Sequence, residues 1–249
     1  MQGRRGLSVQ FVGAGDAFGS GGRFQACISL RTPTSHSLLD CGASSLIAMK
    51  RLGIDPGSVE TVLLSHLHGD HFGGIPFLIL DGQFSRRERA LDVVGPPGTR
   101  ERVLRAMEVL IPGSSTVARR FEVRFVELAA RQKVRIGELG VTALEVPHPS
   151  GAPAFALRVA LGGATVGYSG DGAWSDALVE VADGADLMIC EAYSFDRPIK
   201  FHLSHAELMA NRDRLRCARL VLTHPGPDML AHAAEAEAEL AADGMVIEL

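Results

Sequence analysis

Cysteine is scarce in this chain, and none of its four cysteines belongs to a CxxC pair. Cys27, Cys41, Cys190 and Cys217 are far apart and lie mostly in apolar surroundings. Such cysteines are typical of reduced core thiols, and they disfavour both a disulfide framework and a cysteine zinc knuckle. The pattern therefore predicts a protein of a reducing compartment.

Long hydrophobic runs are also missing. No stretch reaches the ~18 apolar residues that a membrane span requires. The opening segment, MQGRRGLSVQFVGAG, has two arginines but too short an apolar stretch for a signal peptide. We therefore expect a cytoplasmic protein with no membrane partner.

An overall excess of positive charge is absent too, since the formal net charge is −4 at pH 7. Any contact with nucleic acid would therefore need a local patch. One basic segment runs from Phe84 to Arg135 and holds twelve Lys or Arg residues against six Asp or Glu residues. Solvated helix and loop faces are the favoured interpretation of this segment, and an RNA-binding surface is the alternative.

Short apolar segments rich in β-branched residues alternate with helical patterns along the chain. Strands are predicted early, at LSVQFVGAG, ACISLR and SLLDCG, and again at VTALEVPH, AFALRVAL and ATVGYSGD. Each strand-rich portion leads into strand-helix alternation, and the last predicted helix spans about Pro227 to Ala242. Two sheets packed face to face with helices outside would satisfy this pattern. We predict an α/β protein, a four-layer αββα sandwich, with residues 1–249 in a single domain.

The segment TVLLSHLHGDHFGG crowds potential ligands into a few residues after an apolar strand. It contains His66, His68, Asp70 and His71. In an extended chain His66 and His68 point the same way, because strand side chains repeat every two residues, so they can hold one ion. Gly69 permits a turn that directs Asp70 and His71 to a second point. Imidazole and carboxylate ligands suit Zn²⁺, with Mn²⁺ or Fe²⁺ as substitutes.

Three more ligand-type residues end apolar strands elsewhere in the chain. His148 ends ALEVPHP, Asp171 ends TVGYSGD and His224 ends LVLTHP. Strand ends that meet at one sheet edge are where ligand sites form. These residues are therefore candidates to complete a metal centre.

With these motifs, the sequence resembles the metallo-β-lactamase-fold hydrolases and is most similar to their ribonuclease Z group of phosphodiesterases. Besides HxHxDH, the likeness includes FVGAGDAFGSGG, LLDCG, YSGD, CEAYS, HLSHAEL and LTHP, and so covers nearly the whole chain. The resemblance implies that fold and a site for two metal ions. It assigns one ion to His66, His68 and His148, the other to Asp70, His71 and His224, and a bridging position to Asp171 and a water.

The reaction implied by the resemblance is hydrolysis of a phosphodiester by a metal-bridging hydroxide. Two cations roughly 3.5–4 Å apart would lower the pKa of the bridging water toward ~7. His202 would donate a proton to the leaving oxygen or hold the phosphate, and Glu191 would orient its imidazole. Asp70 counts among the catalytic residues as well as the ligands, and Asp40 is expected to brace a ligand histidine from outside.

Ribonuclease Z enzymes carry a protruding arm that grips transfer RNA, commonly inserted between the third ligand motif and the bridging aspartate. Here only 22 residues separate His148 from Asp171, and two predicted strands fill them. We expect no arm, which favours a small diester such as a cyclic nucleotide, a cyclic sugar phosphate or a short oligonucleotide. A lactone, thioester or carboxylic-ester hydrolase with the same metals is the alternative, and a non-catalytic binding protein is a third hypothesis. Family analogy suggests a homodimer.

The remaining histidines and the first glycine loop carry weaker signals. His36 and His232 match no motif and are predicted to lie on the surface. His205 follows Ser204, a plausible N-cap, and is expected in a first helical turn. The stretch GAGDAFG has GxGxxxG spacing with no helical pattern directly after it, so a tight loop near the metal rim is preferred to a nucleotide-cofactor loop.

Overall fold

Two mixed β-sheets form the centre of the molecule in a computed structural model, which describes residues 6–249. The first sheet contains β1 (Ser8–Gly13), β2 (Cys27–Arg31), β3 (His36–Leu39), β4 (Thr61–Leu63), β5 (Leu91–Gly95), β6 (Val123–Glu127) and β14 (Val246–Glu248). The second contains β7 (Lys133–Ile136), β8 (Leu139–Val146), β9 (Ala154–Leu161), β10 (Ala164–Tyr168), β11 (Leu187–Glu191), β12 (Leu220–Thr223) and β13 (Glu239–Leu240).

The two sheets share one pattern of strand directions. Their orders are β14-β1-β2-β3-β4-β5-β6 and β13-β12-β11-β10-β9-β8-β7. In the first sheet β14 to β3 pair antiparallel and β3 to β6 pair parallel. In the second β7 to β10 pair antiparallel and β10 to β13 pair parallel. The carboxyl ends of the parallel strands in each sheet therefore lie at one edge.

Helices cover the outer faces of both sheets. They are α1 (Ser45–Arg51), α2 (Gly69–Phe72), α3 (Ile75–Phe84), α4 (Thr99–Leu110), α5 (Asp176–Ala182), α6 (His205–Ala210) and α7 (Pro227–Ala231). Single 3₁₀ turns lie at Ser20–Gly22, Pro56–Ser58, Arg212–Arg214 and Ala233–Glu235. In α4 the apolar residues Val103 and Met107, one turn apart, are fully buried, as an amphipathic helix requires.

Three apolar clusters separate four layers. The first fills the space between the sheets and includes Phe11, Leu30, Leu157 and Val221. A second lies between the first sheet and α1, α3 and α4, and a third lies between the second sheet and α5 and α6. The predicted αββα sandwich is thereby confirmed, while the assignment of residues 1–249 to one domain stays a prediction.

The prediction of a long C-terminal helix from about Pro227 to Ala242 is wrong. The helix α7 ends at Ala231, and Glu239–Leu240 forms β13 instead. Alanine and glutamate are strong helix formers, but tertiary context overrides helix propensity, and here β13 pairs with β12 in the second sheet. The carboxylate of Asp243, just beyond, accepts hydrogen bonds from the backbone N–H groups of Ala14 and Phe24 and so holds the segment against the first loop.

His36 also differs from its prediction, because it lies in the interior. Its side chain is 4% exposed, since β3 lies between β2 and β4. One ring nitrogen is 2.9 Å from Ser29 Oγ and the other is 2.8 Å from Ser58 Oγ. A buried imidazole is tolerated here because both nitrogens are hydrogen-bonded. His232, by contrast, is partly exposed.

Two further predictions concern membrane spans and a signal peptide. No helix of residues 6–249 is long and apolar enough to cross a membrane. The prediction that the N-terminus is not a signal peptide depends partly on residues 1–5, which lie outside the described part of the chain. The four cysteines are free thiols, and Cys27, Cys41 and Cys190 are buried.

Candidate metal centre

Six strand ends deliver polar side chains to one edge of the sandwich. The sequence leaves the apolar core at these points, so that side chains become available to a shared site. The residues that follow or end β3, β4, β8, β10, β11 and β12 are Asp40, His66, His148, Asp171, Glu191 and His224. The two halves of the chain therefore contribute to a single site.

The HxHxDH segment begins as extended chain and ends as one helical turn. His68 has extended backbone angles and caps α2, which carries Asp70 and His71. The rings of His66 and His68 lie edge to face with centroids 4.8 Å apart. A Cβ at Gly42 would come 2.2 Å from the Asp70 carbonyl oxygen, so glycine is required where the loop after β3 supports this turn.

Three histidines form the first cluster of potential ligands. The donor atoms of His66, His68 and His148 all lie within 4.8 Å of one another. His148 Nε2 lies 3.0 Å from His68 Nδ1. The other nitrogen of His148, Nδ1, donates a hydrogen bond to the Phe201 carbonyl oxygen at 3.0 Å, which turns Nε2 toward the cluster.

A second cluster brings together Asp70, His71, Asp171 and His224. His71 Nε2 lies 3.2 Å from Asp70 Oδ2 and 3.3 Å from Asp171 Oδ2. His224 Nε2 lies 3.3 Å from Asp70 Oδ2 and 3.4 Å from Asp171 Oδ2. Ligands about 2.0–2.1 Å from a shared tetrahedral ion would be about 3.3 Å apart, which these separations match.

Several atoms of the two clusters are buried without a hydrogen-bond partner. Among residues 6–249 these include His66 Nε2, His71 Nε2 and Asp171 Oδ1. Buried polar atoms are rarely left unpaired unless an ion or water completes them. The donors present thus fit divalent metal ions, with nitrogen and carboxylate oxygen as the ligand atoms.

The protonation states of His66 and Asp171 suit metal binding. Burial lowers the pKa of His66 well below its usual value, so its ring is neutral and can act as a ligand. Burial alone would raise the pKa of Asp171, but His224 and His71 hold that pKa well below its usual value. The carboxylate is therefore ionised, and its Oδ2 lies against His71 and His224 of the second cluster. Burial would lower the pKa of His71 and that of His224, but Asp171 raises both, so each of these rings would have to release a proton to a bound ion.

Asp40 lies next to the second cluster and orients His71 through a hydrogen bond. Its Oδ2 accepts hydrogen bonds from His71 Nδ1 and from the Tyr168 hydroxyl, both at 2.7 Å, and from Ser65 Oγ at 2.8 Å. Its Oδ1 accepts from the Ser65 backbone N–H at 2.8 Å. Because His71 Nδ1 carries the proton that Asp40 accepts, Nε2 is left as the ligand atom. Neither Tyr168 nor Ser65 was singled out by the sequence, although Tyr168 begins the YSGD motif and Ser65 directly precedes HxHxDH.

A histidine and a glutamate lie beside the clusters. His202 Nδ1 is 2.9 Å from Glu191 Oε2, and Glu191 Oε1 accepts from the Gly172 backbone N–H at 2.6 Å. The His202 ring lies 5.1 Å from that of His148, and its side chain is 21% exposed. Burial would lower the pKa of His202, but the hydrogen bond that its ring donates to Glu191 raises that pKa overall. His202 can therefore carry a proton on Nε2 toward the open side of the site.

Asp171, Glu191, His202 and His224 also have donor atoms within 4.8 Å of one another. This third set shares Asp171 and His224 with the second cluster. His202 Nδ1 is 4.0 Å from Asp171 Oδ2, farther than the 2.9 Å that separates it from Glu191. The shorter contact favours the ion pair with Glu191 over shared metal ligation.

Backbone strain is concentrated at the site. Asp40, Phe201 and His224 have positive φ values of 57°, 67° and 58°, which only a few per cent of non-glycine residues adopt. Each is next to or part of the candidate machinery, and Phe201 supplies the carbonyl that orients His148. Such strain persists where the surrounding structure demands it, as at functional sites. No sequence signal marks Phe201.

Loops from both halves of the chain border the candidate site. In the glycine-rich loop after β1, the Ala14 carbonyl oxygen accepts a hydrogen bond from the His224 backbone N–H at 2.9 Å. The Tyr193 ring, which the CEAYS stretch contains, lies 5.0 Å from the ring of His202. The loop that carries His202 leads into α6, where Ser204 Oγ caps the helix at 3.1 Å from the Glu207 N–H and His205 begins the first turn.

Comparison with known proteins places these features in a family. Residues 7–246 match the family described as Anti-Pycsar protein Apyc1. Protein ML1173 of Mycobacterium leprae (strain TN) is 35% identical over 224 residues, which cover 87% of this chain and 77% of ML1173.

Two solved structures superpose over nearly the full chain. The metallo-β-lactamase fold protein YhfI from Bacillus subtilis has a TM-score of 0.81 at 21% identity and covers 98% of this chain and 99% of its own. Human tRNase Z, short form (ELAC1), has a TM-score of 0.79 at 26% identity and covers 97% of this chain and 98% of its own. The predicted resemblance to the metallo-β-lactamase fold and to the ribonuclease Z group is confirmed.

Proposed function

Because the chain belongs to the Anti-Pycsar protein Apyc1 family, we propose that it is a dinuclear-metal phosphodiesterase that hydrolyses a small phosphodiester. The observation that carries the proposal is the His202–Glu191 pair, with a 2.9 Å contact, beside two clusters of metal-type donors. In a dinuclear-metal hydrolase that cleaves a diester, the metal site supplies the nucleophile and a proton source serves the leaving oxygen.

In this proposal His66, His68 and His148 hold one ion, and Asp70, His71 and His224 hold the other. Asp171 lies against the second cluster and would bridge both. When bound, two divalent cations supply a hydroxide nucleophile at neutral pH and neutralise charge on the phosphoryl oxygens. Zn²⁺ is the proposed metal because histidine nitrogen and carboxylate oxygen dominate the donors, and Mn²⁺ or Fe²⁺ would fit the same set.

His202 acts on the leaving group. As the P–O bond of the diester breaks, the leaving oxygen takes the Nε2 proton of the imidazolium, whose Nδ1 proton stays shared with Glu191. Glu191 is buried and held by the Gly172 N–H, so it keeps the imidazole in one orientation. Asp70 is a ligand as well as a catalytic residue in this proposal, and its Oδ2 lies 3.3 Å from His224 Nε2, so both atoms can face one ion.

The substrate in this proposal is small. Between His148 and Asp171 the chain forms only β9 and β10, joined at Gly162 and Gly163, so no arm projects from this part of the structure. A long RNA would lack that support. A cyclic phosphate or a short oligonucleotide needs contacts only at the site itself.

A homodimer in the cytoplasm completes the proposal. The surface formed by α1, α3 and the segment after α4 exposes apolar side chains, with Phe84 85% and Ile47 60% exposed. A groove of about 740 Å³ beside them is lined by Phe77, Leu80 and Ile111 among others. Apolar surfaces of this kind are commonly covered by a partner, and a second copy could place its own Phe84 in the groove.

A substrate panel tests the activity. Zinc-loaded and chelated protein would be compared on bis-(p-nitrophenyl) phosphate, a homoserine lactone and a thioester. The proposal predicts cleavage of the diester alone and its loss on chelation. Hydrolysis of the lactone or thioester without the diester would contradict it and favour a carboxylic-ester type of hydrolase.

A further inference from the structure

The proposed reaction leaves the side chain of Tyr193, in the CEAYS stretch, without a role. Tyrosine occurs only twice in the chain, and the hydroxyl of Tyr168 donates a buried hydrogen bond to Asp40 at 2.7 Å. Tyr193 is instead partly exposed. Among residues 6–249 no group accepts a hydrogen bond from its hydroxyl, and this oxygen is not one of the buried polar atoms that lack a partner, so it reaches solvent. The phenol is therefore able to donate a hydrogen bond to a bound molecule.

Two hydrogen bonds fix the Tyr193 backbone between the segments that carry His202 and His224. Its N–H donates to the Leu203 carbonyl oxygen at 2.9 Å, and its own carbonyl oxygen accepts from the Gly226 N–H at 2.8 Å. Leu203 directly follows His202. Gly226 follows His224 by two residues. Tyr193 therefore keeps a fixed place relative to the proposed proton donor and to a proposed metal ligand.

The ring of Tyr193 forms a triangle with the rings of His202 and His224. Its centroid lies 5.0 Å from that of His202 and 6.2 Å from that of His224, and the two imidazoles are 6.1 Å apart. A Cβ at Gly226 would come 3.1 Å from both Cε2 and Cζ of the Tyr193 ring, so glycine there lets the ring pack closely. A group that contacts His202 and an ion at His224 therefore lies within a few ångströms of the Tyr193 side chain.

The surroundings of Tyr193 keep its hydroxyl protonated. Burial, and then the carboxylates of Asp16 and Asp171, raise the pKa of Tyr193 above the value of about 10 that a phenol has in water. Asp16 belongs to the glycine-rich loop and Asp171 to the second cluster, so the hydroxyl lies near both. A protonated phenol donates one hydrogen bond, and an anionic phosphoryl oxygen is a strong acceptor. The hydroxyl therefore suits an oxygen of a phosphoryl group bound beside Asp171.

We propose that Tyr193 binds the substrate, with its hydroxyl donating a hydrogen bond to a non-bridging phosphoryl oxygen of the diester. The inference rests on the proposed function for the reaction, and it adds a substrate-binding residue to it. A phosphodiester has two non-bridging oxygens, so one can face the ions while the other faces Tyr193. A lactone or thioester has a single carbonyl oxygen, which cannot serve both. The contact therefore favours phosphodiesters over carbonyl esters at this site.

Sulfur substitution in the substrate tests this contact at a single atom. Thymidine 5′-(p-nitrophenyl phosphate) would be compared with its two phosphorothioate diastereomers, each of which has sulfur in place of one non-bridging oxygen. Tyr193→Phe should lower kcat/KM on the oxygen diester by roughly 10-fold or more, because a hydrogen bond to a charged acceptor is lost. On the diastereomer whose sulfur faces Tyr193 the loss should be roughly 3-fold or less, since sulfur is a weak acceptor. On the other diastereomer the full loss should return.

Tyr168→Phe is the matched control for this comparison. It also removes one phenol hydroxyl, but that hydroxyl contacts Asp40 and not the substrate. It should therefore lower kcat/KM on all three substrates by the same factor. Each substrate is compared between variant and wild type at the same zinc load, so any preference of the ions for oxygen or sulfur cancels. A uniform loss in Tyr193→Phe, or no loss, would indicate that its hydroxyl does not contact the substrate and would overturn the proposal.

Binding of inorganic phosphate gives a readout that does not need turnover. Isothermal titration would compare zinc-loaded wild type with zinc-loaded Tyr193→Phe, after elemental analysis has shown equal zinc content. The contact predicts that the variant binds phosphate roughly 10-fold more weakly. Equal phosphate affinity in the two proteins would refute the contact. Weakened phosphate binding in Tyr193→Phe, with a wild type that cleaves no diester, would refute the proposed function alone.

Discussion

At the scale of single residues, the candidate site depends on hydrogen bonds that fix which nitrogen of each histidine faces inward. Asp40 does this for His71, and the Phe201 carbonyl does it for His148. The resemblance identified Asp40 from the LLDCG motif. Phe201 has no such signal, because its contribution is a backbone oxygen aimed by a positive φ of 67°. Backbone contacts of this kind are invisible to reasoning about side-chain motifs.

Replacing Asp40 by asparagine tests this orienting role. Asparagine tolerates a positive φ but lacks the negative charge that supports the Nδ1 proton of His71. We expect zinc affinity to fall by roughly 10–100-fold with the fold retained. Competition with a chromophoric chelator would measure it, and an affinity equal to that of the wild type would show that Asp40 is not part of the metal site.

Removal of the His202 imidazole tests the proton donor. His202→Ala should lower the rate of diester hydrolysis by roughly 10²-fold or more with metal content intact, because the leaving oxygen loses its proton source. His232→Ala, which changes a partly exposed histidine outside the clusters, is the control. Undiminished turnover in His202→Ala would remove the donor role.

At the scale of elements, the sequence predicts the structure well where side-chain periodicity determines it. The prediction is weaker where pairing between distant segments determines the structure. The strand ends that carry His148, Asp171 and His224 were predicted because an apolar run stops at each of them. The C-terminal helix was mispredicted because β13 pairs with β12, a contact between segments that local propensity does not register. His36 was misplaced for a similar reason, since its hydrogen-bond partners come from β2 and the 3₁₀ turn at Pro56–Ser58.

Burial of His36 between these elements should make the stability of the fold depend on pH. Burial, followed by the charge of Arg31, lowers the pKa of His36 to about 4. Because the folded state holds the neutral ring, the unfolded chain binds more protons between about pH 6.5 and pH 4, and the contribution of His36 to stability is lost as pH falls through this window.

Urea unfolding of metal-free wild type and His36→Gln would test this dependence at pH 7.5 and 5.5. The wild type should lose more free energy of unfolding than the variant over this interval, because only the wild type carries the buried ring. Both proteins are free of metal and contain the same ligand residues, so the effect of pH on those ligands cancels in the comparison. Parallel losses in the two proteins would contradict the account.

At the scale of the whole molecule, the pattern of elements predicts the fold class but carries no signal for the proposed homodimer. Exposed apolar residues such as Phe84 and Val109 come from different helices, and their shared surface arises only on folding. Their spacing in the sequence is the ordinary spacing of amphipathic helices. A homodimer was therefore suggested by analogy and not by the residues themselves.

Light scattering after size-exclusion chromatography tests the proposed homodimer. The wild type should elute as a dimer, and Phe84→Ser should shift it toward monomer by removing the side chain that would enter the partner's groove. Phe18→Ser is the matched control, because Phe18 is 83% exposed but lies outside the groove. A monomeric wild type would refute the homodimer, and a dimeric Phe84→Ser would place its interface elsewhere.

Anomalous diffraction from zinc-loaded crystals tests the central claim most directly. The account predicts two peaks roughly 3.5–4 Å apart, one among His66, His68 and His148, the other among Asp70, His71 and His224, with Asp171 in contact with both. A single peak, or none after saturating zinc, would contradict a dinuclear centre.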